Sequence, residues 1–219
     1  MKKIFPALAI IVFCVVFAKA QLITDDEDFQ SWNDVQLIVP MNKSFDFYTM
    51  LTMRFGKNVT RPNDNRFAVG VAWKPTKALT ILPFYWSISA RNVRSQFRRE
   101  DRLSLRTTYR FPFKSFGLTH RSTYEYRMRP PLTQHRYRAA LTFEKELPEK
   151  FSKGVKFFVG DEVFYDSLTK EFSRNRFQIG INKTLNKNLS VDVSYMRQND
   201  GFARPGDLNV IWVSWRAKL

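Results

Sequence analysis

Cysteine is almost missing from this chain of 219 residues: Cys14 is the sole one. It sits inside an apolar N-terminal run, and Val12-Phe13 before it lacks the small residues of a lipoprotein signal. Downstream of that run, disulfides and thiolate metal sites are therefore excluded. Glycine is scarce as well, with 8 residues and no Gly-rich phosphate loop. The two histidines, His120 and His135, are far apart, and no carboxylate clusters with either at metal-ligand spacing. No metal or other cofactor is expected. Beyond the N-terminus, no apolar stretch approaches the roughly 20 residues that a transmembrane helix needs. Barrel strands cross with a much weaker hydropathy signal, so this absence leaves a membrane open. Acids are under-supplied: Lys and Arg total 36 against 20 Asp and Glu, a formal charge of +16.

What is present begins with an export layout. Lys2 and Lys3 precede the apolar run Ile4 to Phe17, and Ala18-Lys19-Ala20 is a small-x-small cleavage site. The layout predicts a cleavable signal over 1–20 and one domain over 21–219. Removing Lys2, Lys3 and Lys19, with no acid among those twenty residues, lowers the charge to +13. In a cytosolic protein that charge would point to nucleic acid. Export points away from nucleic acid and toward lipopolysaccharide, an anionic solute or an acidic protein.

The segment Arg102 to Phe111 shows how the domain is built. Leu103, Leu105, Thr107, Tyr109 and Phe111 share one face, and Arg102, Ser104, Arg106, Thr108 and Arg110 share the other. Strand side chains alternate with period two, so one side is apolar and the other cationic. Eleven such segments follow one another: Gln30–Pro40, Phe45–Gly56, Arg66–Trp73, Leu79–Ala90, Asp101–Phe111, Gly117–Met128, Arg136–Glu146, Val155–Asp166, Asn175–Thr184, Leu189–Gln198 and Leu208–Lys218. Behind an export signal, this predicts an all-β fold: a transmembrane antiparallel up-and-down β-barrel of about 10–12 strands in the bacterial outer membrane. A soluble sandwich also alternates and is the competing fold.

Five features shape that expectation. Short connections (Met41–Ser44, Lys74–Lys77, Pro112–Ser115, Leu185–Lys187) alternate with longer polar ones (Lys57–Asn65, Arg91–Glu100, Ser167–Arg174, Asn199–Gly206), which places the short set toward the periplasm. Eleven is odd where single-chain bacterial barrels are even, so either Asp25–Asp28 threads by the lumen or a strand is split or missed. Asp161 would face lipid if Glu162 faces inward, which suggests a bulge or a strand end. Tyr109, Phe111, Phe116, Trp73, Trp86 and Trp215 lie near strand ends, as interfacial girdles would. Ile211, Val213, Trp215, Ala217 and Leu219 share a face of the last strand, a pattern that barrel-assembly machinery reads, although Leu219 stands where an aromatic residue is usual.

Short motifs then carry a family likeness. Phe29-Gln-Ser-Trp32, Met53-Arg54-Phe55, His135-Arg-Tyr-Arg138, Glu162-Val-Phe-Tyr165, Asn175-Arg-Phe-Gln-Ile-Gly180 and Tyr195-Met-Arg-Gln198 occur in order over roughly Asp28 to Gln198. In this the chain resembles domain-of-unknown-function family 2490, uncharacterised bacterial outer-membrane β-barrels. The resemblance implies fold and location and brings no activity.

The inward faces carry Arg102, Arg106, Arg110, Arg121, Arg127, Arg136, Arg138 and Arg176, with Glu125, Glu144 and Glu162 among them. Either these residues form an Arg–Glu network that plugs and braces a narrow lumen, or they line an anion-preferring conduit. Arg91, Arg94, Arg98 and Arg99 cluster around one connection, either as a clamp for lipopolysaccharide phosphates or as an ordinary solvated loop. His120 and Ser122 share the outward face, where an outer-membrane lipid-modifying enzyme such as a phospholipase could place a Ser–His pair, but no Asn or Asp is placed to orient the histidine, so no enzyme is expected and that reading stands as the distant alternative.

Overall fold

A computed structural model describes residues 27–92, 95–148 and 153–219. The proposed signal over 1–20, together with Asp25 and Arg94, lies outside the described residues. Among the described residues there is no helix. Eleven strands follow in order: β1 Glu27–Pro40, β2 Phe45–Gly56, β3 Arg61–Trp73, β4 Leu79–Arg91, β5 Phe97–Arg110, β6 Gly117–Arg129, β7 Leu132–Glu146, β8 Val155–Asp166, β9 Glu171–Thr184, β10 Leu189–Asp200 and β11 Asp207–Lys218. Each pairs antiparallel with the next, and β1 closes the barrel against β11.

The odd count has a geometric resolution. In a meander, strand direction alternates, so the first and eleventh strands run the same way. The closing seam is accordingly parallel, from Glu27 beside Asp207 to Ile38 beside Lys218. No strand is split, and Asp28 is the second residue of β1, buried on its inner side. It accepts backbone N–H bonds from Lys57 at 3.0 Å and Asn58 at 2.8 Å.

The connection lengths differ from the sequence expectation. At the rim carrying the β2–β3 turn, here the upper rim, connections have two to six residues. At the lower rim they have four to eight. The polar stretches read as long loops are mostly strand, because residues such as Arg61–Asn65 and Phe97–Glu100 keep pairing above the apolar belt. The length asymmetry that oriented the barrel is therefore not there.

Inner and outer faces follow the period-two pattern. Outward and exposed are, for example, Leu51, Phe67, Leu103, Tyr137, Ile181 and Ile211. At the lower rim, Tyr109, Phe111, Phe113, Phe116 and Phe143 form a chain of rings with centroids 4.7–6.1 Å apart. Trp86 is not part of any girdle. It points inward between Ala68 and Arg102 and is buried. Strand β4 is apolar on its inner face too (Leu82, Phe84, Trp86, Ile88), so its alternation did not reveal which face was which. Asp161 does face outward, in regular pairing, and accepts a 2.8 Å bond from Asn175 Nδ2. The irregularity lies further along, at Phe164/Tyr165.

Candidate functional site: the charged side of the lumen

The inner wall has two unlike sides. At mid-height from β2 to β4 it is apolar: Tyr48, Met50, Ala68, Ala72, Leu82, Phe84, Trp86 and Ile88 form one cluster, with Asp64 and Arg66 of β3 above it. Two inward glycines make room for such packing. A Cβ at Gly70 would sit 2.6 Å from Phe84 Cβ, and one at Gly180 would sit 2.8 Å from the Phe158 ring. From β5 to β9 the wall is ionic, because each strand there places Arg, Glu or Asp at alternate positions.

Three carboxylates organise the ionic side. Glu100 takes Arg127 Nε at 2.6 Å and Nη2 at 3.1 Å, and is also bound by Arg102 and Arg129. Glu162 takes Arg138 at 2.8 Å and Arg121 at 3.0 Å, with Arg176 at 3.8 Å. Asp166 takes Arg136 at 2.8 Å, with Arg127 Nη1 at 3.7 Å and an amide bond from Gln134. Glu125 links the first two sets: Arg138 Nη1 lies 3.0 Å away and Arg102 Nη1 3.4 Å away. Its side chain is 1% exposed, as is that of Arg127.

Rings share the cations. The guanidinium carbons of Arg136, Arg138, Arg174 and Arg176 lie 4.8–5.8 Å from the Phe164 centroid. Arg54 lies 3.5 Å over Trp32, and Arg106 lies 4.8 Å over Phe84. A cation over a desolvated ring gains up to about 2 kcal/mol, which offsets part of its burial cost.

Of the lumen residues expected from the sequence, Arg102, Arg121, Glu125, Arg127, Arg136, Arg138, Glu162 and Arg176 share this network. Arg106 stands apart from it, on Phe84. Arg110 and Glu144 lie on the lumen side but at the lower rim, paired at 3.0 Å with Arg110 59% exposed. They belong to an open edge, because β5 and β7 end there.

The described arginines around the β4–β5 connection do not converge. Arg91 donates to Pro62 O at 2.8 Å and Ser95 O at 2.6 Å and lies over Phe97. Arg98 reaches Gln96 at 3.5 Å, and Arg99 pairs with Asp101 at 3.1 Å. On the outward face, His120 Nε2 and Ser122 Oγ are 2.9 Å apart, and the serine also contacts Tyr137 OH at 2.9 Å. Among the described residues no carboxylate or amide side chain holds His120 by hydrogen bond or ion pair.

Sequence reading missed Asp64, Arg66, Glu100, Arg129, Asp166, Arg174 and Asp200 as members of the lumen set. Arg66 pairs with Asp64 and Arg174 with Asp200. The signal was available: Asp64-Asn-Arg66, Glu100-Asp-Arg102 and Arg174-Asn-Arg176 continue the period of two upward. It was weak because the outward partners at that height are polar too.

Between these groups, near the upper rim, lies a cavity of about 150 Å³. Eight arginines wall it, at positions 66, 102, 127, 129, 136, 138, 174 and 176, with Asp64 and Glu100 the carboxylates in its lining. Arg129, 52% exposed, stands at its mouth.

The family described as "Protein of unknown function (DUF2490)" matches residues 29–209. The chain belongs to that family. No curated protein matches it by sequence. Among solved structures, LpxR from Salmonella typhimurium is similar in fold, with a TM-score of 0.50 at 8% identity over 80% of this chain and 83% of that one.

Proposed function

We propose that this family member is an outer-membrane β-barrel whose lumen is shut by its own side chains, so that it works as a structural or ligand-binding barrel and not as a conduit. The exposed apolar outward face supports a lipid setting: Leu51, Leu103 and Ile181 have no protein cover, and an apolar band of this kind is what lipid-facing barrel strands present. The similarity to the LpxR fold is compatible with that setting.

The observation that carries the closed-lumen reading is the burial of the inner wall on every side. Trp32, Ile88, Glu125, Arg127, Phe164, Met196 and Val210 are all among the buried residues. They come from β1, β4, β6, β8, β10 and β11. A water-filled path would leave such side chains exposed.

Orientation rests on the last strand. Its outward residues Ile211, Val213, Trp215 and Ala217 lead to the C-terminus at the lower rim. Engagement of this strand by the assembly machinery would place the lower rim in the periplasm. The upper rim then meets lipopolysaccharide. No enzymatic role is proposed for the contact between His120 and Ser122, since among the described residues no third group orients the histidine.

Planar-bilayer recording tests the closed lumen. The expected result is no resolvable conductance from inserted barrels. Steady anion-selective steps would overturn it and favour the narrow pore. Cell fractionation tests the location: recovery outside the outer membrane would refute it.

A further inference from the structure

We propose that the arginine-walled cavity at the upper rim is a binding site for a phosphate group. The proposal rests on the closed-lumen reading, because a cavity in a plugged barrel is a cup and not a stretch of channel.

Charge balance points there first. Eight guanidinium groups line the cavity. Among the described residues the carboxylates that touch them are six: Asp64, Glu100, Glu125, Glu162, Asp166 and Asp200. Glu162 is shared further with Arg121. At least two positive charges therefore stay unmatched around the cavity, and every one of the eight arginines except Arg129 is largely withdrawn from water, where charges need partners. From the β2–β4 side only Asp64 reaches them, and it is already paired with Arg66.

Hydrogen-bond supply points the same way. Arg127 is almost wholly buried, yet its Nη1 has no hydrogen-bond acceptor among the described residues, and the Asp166 carboxylate stands off at 3.7 Å. Arg129 binds Glu100 through Nε, and its exposed position puts it at the entrance. A dianionic tetrahedral group matches the surplus in charge. Planar guanidinium forks bind phosphate oxygens in bidentate fashion. The cavity is sized for such a headgroup and not for a whole phospholipid or glycolipid. The same chemistry would recognise free phosphate and a phosphate carried on a lipopolysaccharide sugar that reaches in from the upper rim, and competition with lipopolysaccharide distinguishes the two.

Calorimetric titration of the detergent-solubilised barrel with inorganic phosphate, against sodium chloride of equal ionic strength, tests the site. Saturable binding of one phosphate is expected, with no such signal from chloride. Arg129→Gln, at the exposed mouth, should fold normally and weaken binding about tenfold, the usual effect of losing one charge-assisted hydrogen bond. Arg127→Gln should weaken it at least as much. No phosphate binding by a folded barrel overturns the proposal, and so does binding that neither substitution weakens. Competition by intact but not dephosphorylated lipopolysaccharide would assign the site to the glycolipid. Absence of competition by either would assign it to free phosphate. Conductance is a separate readout: a conducting barrel that still loses phosphate on Arg129→Gln would refute the closed lumen and the cup, and leave the phosphate contacts as part of a channel wall.

Discussion

The two sides of the lumen solve one problem by opposite chemistry. Both must fill a narrow space inside a closed sheet. The β2–β4 side fills it with Phe84, Trp86, Met50 and Ile88, whose burial is favourable and undirected. The β5–β9 side fills it with Glu100, Glu125 and Glu162 and their arginines, which must be taken out of water and can recover that cost only through good pairing. Apolar residues of similar volume are often at least as good a filler as a buried ionic network. Under the proposal of a phosphate site, the excess of arginine gives the ionic side a use beyond packing.

Substitutions can break or sharpen this contrast. The largest effect is expected from Glu125→Ala, which strands Arg102 and Arg138 without their shared partner. Unfolding in urea should show a loss of about 3–5 kcal/mol. Phe84→Ala on the apolar side should cost about 3 kcal/mol, the low end for such a truncation, because Arg106 above the ring can settle into the space. Similar losses on both sides would follow from different causes, and the next variant separates them. Exchanging Arg102, Glu125 and Arg138 together for Met, Leu and Met should leave stability within about 2 kcal/mol of the parent or raise it. A loss as large as that of Glu125→Ala alone would mean that the ionic side is the better filler after all. The smallest effect belongs to Arg110→Ala. Its pair with Glu144 is exposed at the lower rim, and thermal unfolding should register less than about 1 kcal/mol.

The legibility of this protein in its sequence varied with height along the barrel. In the apolar belt every strand was readable, and β2 and β8 match their expected limits. There the outward neighbours are Leu, Phe, Tyr and Ile, so an inward Arg or Glu stands out against them. Above the belt both faces are polar. Glu100, Arg174 and Asp200 consequently looked like loop residues although they extend β5, β9 and β10. On β4 the difficulty was reversed: both faces are apolar, and Trp86 was assigned to the wrong one.

The sequence by itself determined an all-β chain of about ten to twelve strands, most with one apolar face, because a period of two is a local property that needs no knowledge of neighbours; that the count is eleven came from the closed sheet. It also determined the inward direction of Arg102, Glu125, Arg138 and Glu162. The tertiary structure decided how the sheet closes, since the parallel β1–β11 seam joins segments at opposite ends of the chain. It likewise decided which carboxylate holds which arginine. Glu100 meets Arg127 and Arg129 from β6, and Glu162 meets Arg138 from β7 and Arg121 from β6. Barrel register fixes those pairings, and with them it fixes where positive charge is left over.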